Sequence, residues 1–184
     1  MASEKSPFVC ASLMCHAPIV VPAVGGARGA DCAGSTAAMD KVARDMVAHD
    51  PDVLIVLSPH TPRLERGFSL TATSRVVGDL SRFGAPEARV DLPNAAPLFA
   101  DIEGLTPVDP GPLDHGAMVP LWFLWDAGWR GPTAIIGFPW DPSPEERAAL
   151  GRALAEVARG SKKRVALLAS GDMSHRLTHD APSG

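Results

Sequence analysis

The chain alternates short apolar runs with segments of helical periodicity. The runs carry almost no charge, which is typical of strands that are buried on both faces of a sheet. We predict strands over these runs, and a further one where apolar and polar residues alternate, at 8–15, 52–57, 133–138, 165–169 and 68–73.

Three helices are predicted between the strands. Over 35–49 the residues Met39, Val42 and Met46 recur on one face. The aromatic segment 117–128 predicts a mostly buried helix, and the series from Ser143 has the pattern of a capping box that opens a helix ending near residue 160. Strands alternating with helices predict an α/β fold: one domain over 1–184 with a mostly parallel central sheet and helices on both faces.

In two stretches the apolar residues recur with neither the spacing of a strand nor that of a helix. We predict that 76–112 is irregular, apart from a short strand near Val90, because prolines, glycines and charges are scattered through it. The glycines of 25–29 flank Arg28 but match neither a phosphate loop nor a dinucleotide fingerprint. This second stretch is therefore predicted to be a flexible connection.

Composition and charge narrow the class of protein. The 184 residues are 46% hydrophobic and carry a net charge of −4, with no basic cluster beyond 162–164, which argues against a nucleic-acid partner. The N-terminus lacks the pattern of a signal peptide, and no apolar run is long enough to cross a bilayer. We therefore expect a cytoplasmic protein without a membrane partner.

The cysteines indicate reduced thiols. Cys10, Cys15 and Cys32 form no C-x-x-C pair, which is typical of a cytosolic chain without disulfides. Cys15 adjoins His16, so it is a candidate metal ligand, but alternation along a strand turns neighbouring side chains to opposite faces. We favour a structural role for all three thiols.

Four histidines stand in small, turn-forming contexts. His16, His60 and His175 each follow a predicted strand, and His115 follows the long loop. The carboxyl ends of parallel strands are where ligands bind in open α/β sheets. Neutral imidazole is a common metal ligand and proton shuttle. We expect His16 and His60, at the ends of adjacent strands, to be a metal-binding pair, and His115 and His175 to serve acid–base chemistry or substrate orientation.

Two aspartates accompany these histidines. Asp114 precedes His115, and Asp172 lies in the Ser-Gly-Asp turn before His175. Asp172 could accept a hydrogen bond from a histidine and so orient its ring, or it could simply form the turn. Ser58 and Ser170 lack the G-x-S-x-G context of a serine nucleophile.

Four short motifs together resemble a known family. They are Cys15-His16-Ala17-Pro18, Ser58-Pro59-His60, Leu113-Asp114-His115-Gly116-Ala117-Met118 and Ala169-Ser170-Gly171-Asp172-Met173-Ser174-His175. In this order they resemble the class III (LigB-type) extradiol ring-cleavage dioxygenases. Within that superfamily the chain is most similar to the Memo-like branch, which includes LigB-like domains found alone or fused to AMMECR1 domains.

The resemblance implies a non-haem Fe(II) enzyme that opens the ring of a small aromatic diol with dioxygen. His16 and His60 match the iron ligands of the family, His175 matches its acid–base histidine, and His115 matches a second histidine near the substrate. By the same resemblance, His175 takes a proton from the catechol and returns it before the ring opens beside the diol. The iron keeps open positions for substrate and oxygen.

The family's carboxylate ligand has no counterpart in this chain. That glutamate lies in a helix well after the last motif, whereas the sequence stops at Gly184. We expect that the chain lacks a C-terminal segment of the domain, with exposed apolar surface and self-association into a homo-oligomer as consequences. Alternatively, water, a partner chain or an anion supplies the third ligand.

Two other functions compete with ring cleavage. A Memo-like protein without ring cleavage could use the same histidines to bind a metal or a peptide, because a fold does not fix an activity. A zinc-dependent hydrolase could use them to activate water. A cysteine such as Cys15 near the metal would favour zinc.

Overall fold

The structure is a computed structural model that describes residues 6–172. Its strands are β1 (Phe8–Met14), β2 (Val53–Ser58), β3 (Phe68–Thr71), β4 (Arg75–Leu80), β5 (Ala85–Pro93), β6 (Leu105–Val108), β7 (Thr133–Gly137) and β8 (Val165–Ser170). Its α-helices are α1 (Pro22–Gly25), α2 (Ala33–Ala48), α3 (His115–Asp126) and α4 (Pro144–Ser161). His175, which the sequence analysis selects for acid–base chemistry, lies outside the described residues.

The apolar runs form one six-stranded sheet in the order β1-β8-β2-β7-β3-β6. Strands β1, β8, β2 and β7 are mutually parallel, whereas β3 is antiparallel to β7 and parallel to β6. The carboxyl ends of the four parallel strands therefore meet at one edge. This confirms the predicted α/β fold with a mostly parallel sheet.

Helices cover both faces of this sheet. On one face α2 and α3 pack on alternate residues of the central strands, such as Leu54 and Val56. On the other face α4 packs on the intervening residues, including Val53 and Ile55. Each central strand is therefore buried on both sides, which explains why its sequence is continuously apolar.

The prediction that 76–112 is irregular was wrong, whereas the short strand predicted near Val90 is confirmed as part of β5. Strands β4 and β5 form an antiparallel hairpin, and β6 extends the main sheet. In β4 every second residue is buried and the others are exposed, so the segment has a half-buried strand pattern. Gly78 and the exposed charges obscured that alternation in the sequence.

The prediction that His16 and His60 follow adjacent strands was also wrong. Strand β8 lies between β1 and β2 and pairs with both of them. The last strand of the described chain is thus inserted between the first two. Apolar runs indicate which segments are buried strands, but they do not encode the order in which those strands pair.

Several element boundaries differ from prediction. Helix α3 begins at His115 rather than at residue 117, because the Asp114 side chain caps its first turn. Residues Gly26–Cys32 form a 3₁₀ helix instead of a flexible connection. The predicted start of α4 is confirmed: Ser143 and Glu146 make both hydrogen bonds of the capping box, at 3.1 and 2.7 Å.

Within residues 6–172, no helix combines the length and apolar character needed to cross a bilayer.

Candidate active site

Three parallel strands deliver a polar side chain to the same edge of the sheet. His16 lies two residues beyond the end of β1, His60 two beyond β2 and Asp172 two beyond β8. Because β8 separates β1 from β2, Asp172 leaves the sheet between the two histidines. The same short extension after each strand thus brings residues distant in sequence to one place.

Asp114 fixes the helix that supplies the third imidazole. One of its carboxylate oxygens accepts hydrogen bonds from the backbone N–H groups of Gly116 and Ala117, at 2.7 and 3.2 Å. The other accepts from the Thr61 hydroxyl at 3.1 Å. Asp114 therefore caps α3 and ties it to the loop after β2, so His115 at the first helical position is held beside His60.

Gly116 allows this close approach of the helix to the loop. A Cβ atom built on Gly116 would lie 2.8 Å from His60 Cδ2 and 2.9 Å from Ser58 Oγ, closer than van der Waals contact. The glycine is therefore needed for space, since its φ does not lie in the left-handed region. Its absent side chain leaves room for the His60 ring.

The three imidazoles form one cluster. The Nε2 atoms of His16 and His60 are 3.2 Å apart, and one nitrogen from each of His16, His60 and His115 lies within 4.8 Å of the others. The ring centroids of His60 and His115 are 4.4 Å apart. His16 is buried, at 4% exposure, and the other two rings are partly exposed.

Ser170, the last residue of β8, fixes the orientation of His16. Its hydroxyl donates to the carbonyl oxygen of Gly116 and lies 3.0 Å from His16 Nδ1. A hydroxyl has one proton to donate, so toward His16 it acts as the acceptor and Nδ1 carries the hydrogen. In neutral His16 the lone pair is then on Nε2, which faces His60.

Electron-rich atoms crowd this lone pair. Asp172 Oδ2 is 3.0 Å from His16 Nε2, and His60 Nε2 approaches the same atom from its own strand end. A carboxylate and two imidazole nitrogens so placed repel one another unless a proton or a cation lies among them. The arrangement therefore favours positive charge at this position.

The donor set fits a divalent transition metal. Imidazole nitrogens lie about 2.0–2.1 Å from such an ion, so two of them on one ion are at most about 4.2 Å apart. The separation of 3.2 Å between the Nε2 atoms of His16 and His60 satisfies that limit. The nitrogens of all three histidines lie within 4.8 Å of one another, a wider spacing than that limit, so the pair His16 and His60 fits one ion better than the trio does. Imidazole with carboxylate suits iron or zinc.

The shifted pKa values of two side chains favour the same donor set. Burial, followed by the charges of His115 and His16, lowers the pKa of His60 from its usual value, which favours the neutral form that a metal requires. Burial raises the pKa of the Cys15 thiol, which keeps it protonated. Among residues 6–172, Cys15 does not belong to the histidine cluster that could hold a metal ion.

A cavity of about 500 Å³ opens beside the cluster. His60, Thr61, Asp114 and His115 line one part of it, and the hairpin of β4 and β5 supplies another part. The remaining wall comes from residues of the sheet and of the loop before α3: Thr71, Pro110, Pro112 and Leu113. Its volume lies in the range of small-molecule sites.

The structure brings together most of the residues selected from sequence. His16, His60 and His115 share the cluster, Asp172 contacts His16, and Asp114 acts as a helix cap. The proposed catalytic residue His175 lies outside the described residues. The metal-binding and catalytic roles themselves stay predictions.

Sequence reasoning missed the residues that support the site. Ser170 was considered only as a nucleophile, yet it orients His16. Arg82 and Phe83 were missed because their hairpin was assigned as irregular. The period-two burial of β4 was the signal that could have revealed the hairpin.

The chain is similar to a described protein family, to a curated protein and to a solved structure. Residues 10–184 match the family described as the catalytic LigB subunit of aromatic ring-opening dioxygenase. The curated Protein CA_C1420 of Clostridium acetobutylicum is 26% identical over 190 residues, which cover 94% of this chain and 40% of that protein. The solved structure of the uncharacterized protein JW3007 from Escherichia coli K12 is 22% identical with a TM-score of 0.49, covering 75% of this chain and 54% of that one. The chain thus spans about half or less of the length of these relatives.

Proposed function

The chain belongs to the LigB family of aromatic ring-opening dioxygenase subunits, and from this premise we propose that it is an Fe(II)-dependent extradiol dioxygenase. Its substrate is a small catechol, cleaved next to its two hydroxyl groups with dioxygen as co-substrate. The observation that supports this most is the pair of Nε2 atoms of His16 and His60, 3.2 Å apart beside a cavity of about 500 Å³.

Each residue of the site has a role in this proposal. His16 and His60 hold the metal, and Ser170 keeps the Nε2 lone pair of His16 directed at it. Iron held by these residues would supply Lewis-acid and redox chemistry, with open coordination positions for a catechol and dioxygen. His115 belongs to the cluster and also lines the cavity, where its ring can hydrogen-bond a substrate hydroxyl. His175 is proposed as the acid–base group, from its motif alone.

Iron binding and turnover test this function. The chain is loaded anaerobically with Fe(II), and catechol or protocatechuate is added with oxygen. We expect oxygen uptake and a yellow ring-opened product. H16A and H60A are expected to lose bound iron, whereas H115A and H175A keep it and lose turnover by about 10²–10⁴-fold. H49A is the control, since His49 is exposed and outside the cluster.

Two results would contradict the proposal. Iron content in H16A and H60A equal to that of the parent would show that the metal lies elsewhere. Tight iron binding without oxygen uptake on any diol would instead favour the Memo-like binding protein that lacks ring cleavage.

A zinc-dependent hydrolase is the second candidate function. The observation that favours it is the third imidazole, because three protein ligands with an open position for water are typical of catalytic zinc. In that case H115A would lose metal together with H16A and H60A. Ester hydrolysis by the zinc-loaded chain, without oxygen uptake by the iron-loaded chain, would decide for this alternative.

A further inference from the structure

We propose that the outer edge of β1 is a dimer interface, at which β1 pairs in antiparallel orientation with β1 of a second copy of this chain. The two six-stranded sheets then join into one continuous sheet. The interface lies at the edge of the sheet farthest from β6, and it depends neither on the metal nor on the proposed function.

The backbone of β1 carries hydrogen-bonding groups that face away from the sheet. Within residues 6–172, β1 is the first strand in the sheet order and pairs with β8 alone. The Gly171 N–H donates to the Met14 carbonyl oxygen at 3.0 Å, so the backbone groups of Met14 and Ser12 face β8. Because these directions alternate along a strand, the N–H and C=O groups of Ala11 and Leu13 face outward, and both residues are exposed.

The opposite edge of the sheet, β6, is protected against such pairing. The Ala72 N–H donates to the Val108 carbonyl oxygen at 2.8 Å, so the even-numbered residues of β6 face β3 and Pro107 faces outward. Proline has no N–H, and the N–H of Leu105 already donates to the Ile102 carbonyl oxygen at 3.1 Å. In contrast, β1 contains neither a proline nor a charged residue. A strand edge without these protections is a template for a further strand.

The outward groups of β1 favour one register. A β-bulge between Phe8 and Cys10 disturbs the start of the strand, which leaves Ala11 and Leu13 as its regular outward residues. When Ala11 of each copy faces Leu13 of the other, both pairs exchange N–H···O bonds, and a twofold axis passes beside Ser12. Each outward donor then meets an acceptor of the same segment, as a symmetric dimer requires.

The side chains on one face of this edge are complementary across the axis. Leu13 is a large apolar residue with 59% of its surface exposed. In the proposed register it lies over the small Ala11 side chain of the second copy. Leu167 and Ala169, the partners of these residues on β8, are partly exposed and extend the same apolar surface. Pairing therefore removes apolar surface from water in addition to satisfying the backbone.

Uncharged residues of α2 flank the other face of the edge. Ser35, Ala38 and Val42 recur along one side of α2 and line a groove of about 200 Å³ between the helix and the end of β1. Near a twofold axis a surface meets its own copy, so a charged residue there would repel its equivalent. Neither β1 nor this groove contains a charged residue. The charge pattern thus suits a second copy of this chain.

The dimer leaves both imidazole clusters accessible. His16 lies two residues beyond β1, at the carboxyl edge of the sheet. Antiparallel pairing turns this edge in opposite directions in the two copies, so the clusters lie at opposite edges of the joined sheet. We therefore expect dimerisation to leave metal binding unchanged, and the interface can fail or hold independently of ring cleavage.

The mass of the 184-residue chain in solution tests the interface. Sedimentation velocity over about 1–100 μM should show a concentration-dependent dimer of the 19.3 kDa chain. L13K brings two like charges to the axis and should weaken dimerisation by about 100-fold or more. V77K is the matched control, because Val77 is a large apolar residue, 47% exposed, on β4, and this variant should dimerise as the parent does.

A proline variant tests the role of the backbone. A11P removes an N–H that β8 does not use, and proline is tolerated on edge strands when the lost N–H faces solvent. We expect A11P to keep the circular dichroism spectrum of the parent and to sediment as a monomer.

Cross-linking tests the register. The two Ser12 residues form a non-hydrogen-bonded pair in the proposed dimer, with Cα atoms about 4.5 Å apart, a separation that a disulfide spans. Under copper–phenanthroline oxidation we expect S12C to give a covalent dimer beyond the level that the native cysteines give in the parent. S74C, an exposed serine beside β4, should give no more than the parent.

Four results would overturn the interface. They are a monomer at every concentration, equal loss of the dimer in L13K and V77K, a dimer that persists in both L13K and A11P, and a dimer in which S12C forms no cross-link. The last result would exclude the antiparallel pairing of β1 even where L13K abolishes association.

Discussion

The hydroxyl of Ser170 decides which nitrogen of His16 is available to a ligand. Its single proton is donated to the Gly116 carbonyl, so it accepts from His16 Nδ1 and leaves Nε2 unprotonated in the neutral ring. One side chain thereby links β8, α3 and the extension of β1. Partners of this kind orient metal-binding histidines and raise their basicity.

Replacement of Ser170 should therefore separate orientation from metal ligation. We expect S170A to fold, with a loss of about 1–3 kcal/mol from the broken buried hydrogen bonds, and to bind Fe(II) or Zn(II) about 10–100-fold more weakly. Metal titration and urea unfolding measure the two effects. S74A removes an exposed hydroxyl and should change neither; unchanged metal affinity in S170A would refute the orienting role.

The lowered pKa of His60 predicts a pH-dependent stability of the metal-free chain. Burial and the charges of His115, His16 and Arg63 lower this pKa, and only Asp114 opposes them. Below about pH 6.5 the unfolded chain binds a proton that folded His60 resists. The stabilisation is thus complete above about pH 6.5 and decreases as the pH falls toward the folded pKa.

Unfolding by urea between pH 5 and pH 8 tests this linkage. H60Q should show a shallower loss of stability on acidification than the parent. H49Q, which removes an exposed histidine outside the cluster, should follow the parent curve. A slope in H60Q as steep as that of the parent would assign the proton uptake to other groups.

At the scale of elements, the first turn of α3 is the part of the site that tolerates the least change. The Asp114 cap, His115 and Gly116 follow one another, and the glycine packs against the His60 ring and Ser58. The helix could not approach the loop after β2 as closely with a larger residue there. The turn therefore sets the spacing between His60 and His115.

Two glycine-to-alanine replacements in helices should have opposite effects. G116A forces its methyl group against His60, so we expect about 1–3 kcal/mol of destabilisation and weaker metal binding. G151A, in the open surface of α4, meets no atom within 4 Å and should stabilise the chain by about 0.5–1 kcal/mol. Thermal unfolding and metal titration distinguish them; metal binding by G116A at parental affinity would disprove the steric argument.

At the scale of the whole molecule, the hairpin of β4 and β5 belongs to the main core. Its inward residues, which include Val76, Leu80 and Leu92, are buried with α2, α3 and one face of the sheet. Asn94, just after β5, donates hydrogen bonds to the carbonyl oxygens of Thr71 and Thr73 at the end of β3. The hairpin wall of the cavity is thus built into the fold.

Truncation of a hairpin residue should therefore destabilise the entire protein. L92A removes a fully buried side chain and is expected to lower the free energy of unfolding by about 2–5 kcal/mol in a single transition. V77A, on the outward face of the same hairpin at 47% exposure, should change it by less than about 0.5 kcal/mol. A separate early transition in L92A would instead indicate a hairpin that unfolds on its own.

The elements that could be predicted from the sequence are those whose whole pattern lies within one short segment. The charge-free run of β8 and the Ser143–Glu146 capping box were recognised because one segment contains the whole pattern. The hairpin as a whole was missed because β4 buries alternate residues only, and Gly78 with its charged neighbours weakens that period. His16 and His60 were found because each lies two residues beyond the end of a buried strand.

The sequence by itself determined the α/β class, the apolar strands and the histidines placed after them, because burial and capping act on residues close in the chain. The tertiary structure alone decided that β8 lies between β1 and β2, that Ser170 orients His16, and that Arg82 shares a cavity with His115. These relations depend on strand pairing and on packing between segments as much as 154 residues apart. The free energy of such contacts is realised only when the chain is folded.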